Sequence, residues 1–295
     1  MRPPHSSAHA TAADERAVFE VATQPEVAVV VPCYRYAHLL PEAVRSVVAQ
    51  TWQNLHIVIV DDGSPDDTAV VAERLIAEFP NRRIELVRQP NLGLATARNN
   101  GVRMTRAAFV LPLDADDELV PNAIERLMAV QQATGADVVT PLGRTFGDED
   151  RQLVTLPVTS SRLCAGNCLV YSSLYRRELF DRIGGYTLNV PGYEDWDFWL
   201  AGFERGAKFA HVPEELFRYR RHGTTMLTTS DQKAMHLRAT IVSNHPRLYA
   251  RWRVAVAQRW LRAGERSRGW LRLLMLAQFL LDRRLKLFWR QLRAV

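Results

Sequence analysis

Residues able to do chemistry gather in four short stretches of this sequence. In Leu113-Asp114-Ala115-Asp116-Asp117 an apolar run ends in acidic residues. Two carboxylates one residue apart, Asp114 and Asp116, can share a divalent cation whose oxygen shell a substrate diphosphate completes, and such a cation would stabilise charge on a departing nucleoside diphosphate. In Val60-Asp61-Asp62-Gly63-Ser64 a carboxylate can accept hydrogen bonds from a base N–H or a ribose hydroxyl. Arg98 has the fork geometry that pairs with phosphate oxygens. Glu194-Asp195-Trp196-Asp197 offers a general base for an acceptor hydroxyl. Each stretch also has a purely structural reading: an acidic turn, a glycine turn with a helix cap at Ser64, a solvated surface arginine, and helix N-terminal acidity. Three acidic residues in four positions at 194–197 exceed what a helix start requires.

The elements that must hold these residues alternate short β-branched runs with helical periodicity, the pattern of an α/β domain with a largely parallel sheet. Strands are predicted at Val27–Val31, His56–Val60, Ile84–Val87, Ala108–Leu113 and Asp137–Thr140. Between the first two, Leu40, Val44, Val47 and Val48 line one helical face. Ser64, Pro65 and Asp67 have the spacing of a helix start, and the helix Pro121–Thr134 stops at Gly135. Ligands of open α/β sheets bind beyond the carboxyl ends of the strands, which directs attention to residues 32–36, 61–64 and 114–117. Further on, a short helix is expected from Ser172/Ser173 to Gly184-Gly185, another from Asp195 to Arg205, and a strand pair at Lys208–Val212 and Leu216–Arg220.

The net charge of +6 over 295 residues is uneven. Residues 231–295 carry 15 Lys and Arg against 3 Asp and Glu, while residues 1–230 carry 23 against 29. A nucleic-acid binder would join such basic charge to stacking aromatics or a reading helix, and neither is present, so no nucleic-acid partner is expected. Cys33, Cys164 and Cys168 lack the paired spacing of a zinc site and are too few for a disulfide scaffold. A nucleotidyltransferase on a related sheet would carry a glycine-rich phosphate loop after the first strand, and Pro32-Cys33-Tyr34-Arg35-Tyr36 contains no glycine.

Taken in order, five motifs resemble the glycosyltransferase family 2 enzymes, whose fold is called GT-A. They are Val31-Pro32-Cys33-Tyr34 with Ser46 and Gln50 downstream, Asp61-Asp62-Gly63-Ser64, Gly93 to Asn99, Asp114-Ala115-Asp116-Asp117, and Gly184-Gly185-Tyr186 leading to Glu194-Asp195. The resemblance spans about residues 26–226 and implies a Rossmann-like mixed sheet flanked by helices. By it, Pro32, Tyr34, Asp61 and Asp62 line the nucleoside pocket, Arg98 lies near nucleotide or diphosphate, and Asp114 with Ala115 contacts the nucleotide sugar or metal. Asp116 is then the main ligand of a divalent cation, Mn²⁺ or Mg²⁺, and His222, in Arg218-Tyr219-Arg220-Arg221-His222, approaches diphosphate or metal. Asp195 falls at the catalytic base with Glu194 beside it. The resemblance further implies inversion at the anomeric carbon, a UDP-sugar as the first candidate donor, and a glycan or lipid-linked acceptor of cell-envelope polysaccharide assembly. A member that binds sugar nucleotide or protein without turnover is the alternative. Arg35 departs from the family's usual Asn, and the Gln-x-x-Arg-Trp signature of processive synthases is absent.

The expected organisation is a disordered arm (1–24), a catalytic domain (25–230) with a nucleotide-binding half (25–140) and an acceptor half (141–230), and a basic amphipathic helical extension (231–295). In the extension, Trp252, Trp260, Leu261, Trp270, Leu271, Leu274, Phe279, Leu280, Phe288 and Trp289 sit among arginines. Helices of that kind can lie on an anionic membrane surface, or their apolar residues can pack on the catalytic domain or on a second subunit. The expected location is cytoplasmic, with peripheral attachment to the cytoplasmic face of the membrane.

Overall fold

The computed structural model describes residues 24–222 and 234–263, together with residues 274 and 277. Four parallel strands form one side of the sheet: β1 (Val27–Cys33), β2 (Leu55–Asp62), β3 (Arg83–Gln89) and β4 (Phe109–Pro112). They are joined by α1 (Leu40–Val48), α2 (Thr68–Glu78) and α3 (Leu94–Arg103). The other side holds β5 (Glu118–Leu119), β6 (Val138–Gly147), β7 (Gln152–Leu153), β8 (Leu174–Arg176) and β9 (Phe209–Arg221). The strand order is β3-β2-β1-β4-β8-β6-β9-β5, with β7 paired to β6. β8 runs antiparallel to both β4 and β6, so the sheet is mixed.

β1 and β2 are buried along their whole length, as strands covered on both faces must be, and this explains their nearly unbroken Val and Ile runs. Alternation sorts their side chains into two cores. Val27, Val29, Val31, Ile57 and Ile59 join Leu40, Val44 and Val47 of α1 and Leu127 of α4 (Ala123–Thr134). Val30, Val58 and Val60 face Ala97 and Val102 of α3, beside Leu179 and Phe180 of α6 (Arg177–Ile183) and Trp196, Phe198 and Trp199 of α7 (Glu194–Glu204). α1 buries Leu40, Ala43, Val44 and Val47, the stripe expected of an amphipathic helix. α4 ends at Gly135 in the left-handed conformation, as its sequence signals.

Three local expectations are corrected. Ser64 does not cap α2, which starts four residues later at Thr68. Its hydroxyl donates to the carbonyl of Cys33 at 3.3 Å and accepts the Arg35 N–H at 3.2 Å, tying the ends of β1 and β2 together. Asp66 organises the helix start instead, accepting the Thr68 hydroxyl at 2.6 Å on Oδ1 and the Ala37 N–H at 3.1 Å on Oδ2. After Ser172/Ser173 the short strand β8 precedes the helix, because Leu174 and Tyr175 are held in the sheet by β4 and β6. The two strands expected at 208–220 are one strand, β9. The Pro213-Glu214-Glu215 interruption is absorbed by register shifts against Pro141, Leu142 and Gly143 of β6, and a bulge bends a strand without ending it.

The residues expected to begin a separate extension belong in part to the second core. α8 (Ala234–Asn244), α9 (Arg251–Arg262) and the connection between them bury Leu237, Ala239, Ile241, Val242, Tyr249, Ala257 and Trp260 with the aromatics of α7. His245 lies 3.1 Å from Asp197 Oδ1 and 3.0 Å from Glu204 Oε2, and the Tyr249 hydroxyl donates to the carbonyl of Cys164 on α5 (Ser160–Ala165) at 3.3 Å. Trp252 is 54% exposed and Leu274 is exposed. Trp270, Leu271, Phe279, Leu280, Phe288 and Trp289, and the arm before residue 24, lie outside the described residues. Among the described residues no helix is long and apolar enough to cross a membrane.

Candidate active site

The carboxyl ends of β1, β2 and β4 share one edge of the sheet, since the three strands are parallel neighbours. Residues 32–36, 61–64 and 114–117 therefore come together although about 80 positions separate the first from the last. Pro32 lies in the buried run of β1, which ends at Cys33, and Tyr34 is half-buried with the Arg35 guanidinium 5.2 Å from its ring centre. Arg35 has φ 63°, a left-handed conformation that asparagine tolerates better than other non-glycine residues. Asp61 and Asp62 are both buried, but their oxygens are used differently. Asp61 Oδ1 accepts the Ser64 N–H at 2.9 Å, and its Oδ2 lies 3.8 Å from Arg88 Nε. Asp62 accepts three bonds, from Gln89 Nε2, Leu92 N and Gly93 N at 2.7–2.9 Å. Asp62 thus fixes the loop that launches α3, while Asp61 keeps acceptor capacity. Gly63 has φ 66°, and a Cβ there would come within 2.6 Å of Asn91 N, so the turn excludes a side chain.

Arg98 is the node of the site. It is 2% exposed, donating from Nη1 to Glu194 Oε1 at 2.8 Å and from Nη2 to Asp114 Oδ1 at 2.7 Å. Its guanidinium carbon sits 4.9 Å from the centre of the Tyr171 ring, within cation–π range. Burial alone would lower its proton affinity, but the charges of Asp114 and Glu194 more than offset this and raise it. Sequence reasoning placed Arg98 near nucleotide or diphosphate; in the structure its two donor arms join the two acidic clusters.

In the first cluster each aspartate has a different partner. Asp114 meets Arg98, and its carboxyl is raised to about 6 by burial, which outweighs the Arg98 charge, with Asp116 adding repulsion. Ala115 is buried beneath them. Asp116 Oδ2 lies 3.0 Å from His222 Nε2, and His222 packs edge-on against Tyr36 at 5.5 Å. Asp117 accepts the Tyr171 hydroxyl at 2.5 Å and the Arg220 N–H at 2.7 Å. The Tyr171 oxygen in turn accepts the Asp114 N–H at 2.9 Å. Arg220 reaches the carbonyl of Asp116 with Nε at 2.9 Å and ion-pairs with Glu42 and Glu118. Ser46 Oγ accepts the Leu119 N–H at 3.2 Å, while Gln50 spans Val120 O and Ile124 N, so both support the segment after the acidic loop.

The second cluster opens α7. Glu194, buried, accepts Arg98 on one oxygen and the Gly192 N–H at 2.7 Å on the other. Asp195 accepts the Trp196 N–H on Oδ1 and Asn167 Nδ2 on Oδ2, each at 2.7 Å. Burial and then the charge of Glu194 raise its carboxyl to about 7, against the lowering pull of Arg98 and those two hydrogen bonds. The approach to α7 is fixed by Asn99, which accepts the Tyr186 N–H at 2.7 Å and donates to the Tyr186 carbonyl at 2.8 Å. A Cβ on Gly185 would come within 2.6 Å of that amide.

A cavity of about 760 Å³, lined mostly by residues between 142 and 221, joins the clusters. Arg98, Asp114, Glu194 and Asp195 lie along one part of it, and Leu142, Leu153, Leu156, Leu169, Val170 and Phe217 supply an apolar wall. Asn167 and Tyr171 also line it and were missed from sequence, because an isolated polar residue in an irregular loop carries no periodic signal.

Among the described residues, no group of three or more His, Cys, Asp or Glu side chains is placed to hold a metal by itself. The Asp116–His222 pair supplies one oxygen and one nitrogen donor side by side. That donor set fits a cation taking its remaining ligands from a diphosphate, while Asp114, turned to Arg98, has one oxygen left for it.

Known proteins resemble this chain in sequence and in fold. The sequence profile of glycosyl transferase family 2 matches residues 28–188. The glycosyltransferase EpsJ of Bacillus subtilis is 27% identical over 229 residues, covering 72% of this chain and 65% of that protein. Chondroitin synthase of Escherichia coli is 26% identical over 222 residues, of which only 32% of its length is covered. Among solved structures, Staphylococcus aureus TarS 1–349 in complex with UDP-GlcNAc superposes with a TM-score of 0.63 at 16% identity, over 87% of this chain and 79% of that one. The Pyrobaculum calidifontis mannosyltransferase PcManGT, in complex with GDP-Man and Mn²⁺, gives 0.57 at 17% identity over 90% and 88%. The family match covers more than half of the sequence and runs through the carboxyl ends of β1, β2 and β4: this chain belongs to glycosyl transferase family 2.

Proposed function

We propose that this protein is an inverting glycosyltransferase that moves a sugar from a nucleoside diphosphate sugar to a hydroxyl of a glycan or lipid-linked acceptor. The observation that carries this reading is the division of labour about Arg98. A strand-end carboxylate beside a histidine lies on one side of it, and a raised carboxyl facing a cavity lies on the other. In this reading Pro32, Tyr34 and Asp61 border the nucleoside, Asp62 shapes the loop beside it, and Asp114 with Ala115 backs the donor. A divalent cation held by Asp116 and His222 would neutralise the departing diphosphate.

Asp195 then takes the proton from the acceptor hydroxyl. A general base works best when its proton affinity lies near the working pH, and a carboxyl raised to about 7 meets that condition where an ordinary one does not. The activated oxygen attacks the anomeric carbon from the face opposite the leaving diphosphate. A single displacement of this kind inverts the configuration. That the solved neighbours are complexes with UDP-GlcNAc and with GDP-Man and Mn²⁺ is consistent with a donor of this class.

The test is a thermal-shift panel of UDP, GDP and dTDP, with Mn²⁺ or Mg²⁺ and then with EDTA, since specific binding to the folded state raises apparent stability. One diphosphate should stabilise the protein only with the cation, and Asp116→Ala should remove the effect. Equal stabilisation by that nucleotide in EDTA would overturn the metal-assisted reading.

A further inference from the structure

We propose that Asn167 is a positioning residue that holds the Asp195 carboxylate in one orientation toward the cavity. The inference rests on the reading of Asp195 as the base and adds a residue which that reading does not contain.

Asp195 Oδ1 is fixed by the backbone N–H of its neighbour Trp196, an interaction that any residue at 196 except proline could supply. Oδ2 is fixed by Asn167 Nδ2 at 2.7 Å, and among the described residues no other side chain donates to this carboxylate. The orientation of the Asn167 amide is itself determined. Its Oδ1 accepts the Leu169 N–H at 3.2 Å, so the NH₂ end must face Asp195. A carboxylate has about four acceptor sites, two of which are now used, and both Asp195 and Asn167 line the cavity. The free lone pairs are therefore held where an acceptor hydroxyl would arrive.

The residue type matters as well as the position. An amide donates without carrying charge and cannot compete for the proton that Asp195 is to receive. A cation there would pull the carboxyl down, and a carboxylate would repel it. Of the charged and titratable groups around Asp195, Glu194 shares its helix, Arg98 comes from α3, and Tyr186 from the loop before α7. Asp114, Arg151, Arg162, Cys168, Tyr171, Tyr219 and Arg221 border the same cavity, while Asp197 on the same helix is turned to Asn244 and His245. The Arg98 donors are directed at Glu194 and Asp114, which leaves the neutral amide as the side-chain partner of Asp195.

The experiment compares wild type, Asn167→Leu and Asn167→Asp in the full chain, with two readouts. The first is the titration of the Asp195 carboxyl by ¹³C NMR, assigned by its loss in Asp195→Asn. The second is the pH dependence of donor turnover, with donor affinity measured alongside. Loss of a hydrogen bond to a charged group should raise the Asp195 midpoint by about one to two pH units in Asn167→Leu, and Asn167→Asp should raise it at least as far. The acid limb of turnover should move by the same amount while donor affinity is unchanged. An unmoved NMR midpoint in a folded Asn167→Asp protein would overturn the proposal, even if turnover fell equally at every pH. A moved midpoint with an unmoved turnover limb would uphold the role of Asn167 and instead remove Asp195 as the base.

Discussion

The acidic loop after β4 and the acidic turn that opens α7 use the same residue types and the same arginine to different ends. In the loop, Asp114 takes Arg98, Asp117 takes the Tyr171 hydroxyl and a backbone N–H, and Asp116 is left with His222. In the turn, Glu194 takes the other arm of Arg98 and a backbone N–H, and Asp195 has only neutral donors. Each cluster therefore contains carboxylates that build the site and one that remains available to it. Concentrating negative charge is costly unless something compensates it. The buried guanidinium answers one carboxylate per cluster and leaves the second of the turn unpaired, which is why burial and Glu194 raise Asp195 to about 7. A run of acidic residues is thus one functional group and the scaffolding that allows it.

The sharpest way to break this comparison is to exchange the two members of the turn. Asp195→Asn keeps the shape and cannot take a proton, so turnover should fall by about 10²–10⁴-fold with donor affinity preserved. Glu194→Gln should keep the base and lose the charge that answers Arg98, so its main effect should be on stability. Steady-state kinetics together with chemical denaturation distinguish the two. If Glu194→Gln were the dead, stable enzyme and Asp195→Asn the active one, the assignments within the turn would be reversed.

The next effect falls on the link between the clusters. Arg98→Met retains much of the side-chain volume but strands Glu194 and Asp114 without their cation. Removing one partner of a buried ion pair typically costs about 3–5 kcal/mol. Urea unfolding should show a loss of unfolding free energy of that size, with both clusters impaired. A loss below about 1 kcal/mol would mean that the loop and the turn are independent of Arg98.

How much of this was legible in the sequence follows the same division. The loop lies at the end of a parallel strand, where β-branched runs and strand-end aspartates fall into a regular alternation, so Asp61, Asp114 and Asp116 could be placed from pattern alone. Glu194 and Asp195 were legible as a cluster, and the family resemblance pointed to Asp195 as the base, but that Glu194 is the one Arg98 holds depends on a contact across 96 positions. Asn167, Tyr171 and the backbone role of Arg220 lie in or beside irregular connections whose partners are set by tertiary packing. The bent strand β9 read as two because proline and two glutamates interrupt its pattern, and only its pairing with β6 shows that the chain continues. Trp260 read as well as a membrane contact as a core residue, because periodicity shows an apolar face and not what covers it; the structure buries it in the second core.

The smallest effect is one of pH on stability, and it tests directly whether the charge on Asp195 is uncompensated. The folded state holds this proton more tightly than the unfolded chain, where an aspartate titrates near 4. Between about pH 4 and 7 the unfolded state therefore has fewer bound protons than the folded one at this site, and stability must fall as pH rises through that window. An asparagine side chain cannot ionise, so the Asp195→Asn protein lacks this loss. Its melting temperature should match the wild type near pH 4 and exceed it by a few degrees above pH 7. Other groups also titrate. His245 is pulled down by burial but raised on balance by Asp197 and Glu204, and its contribution is lost as pH rises past its folded value. Asp114 and Asp117 are raised as well. These groups are common to both proteins, so the difference between the two melting curves isolates the one carboxyl. Should the variant instead be less stable at pH 8, the Asp195 anion would be stabilised by its surroundings, and the turn, like the loop, would hold its carboxylates compensated.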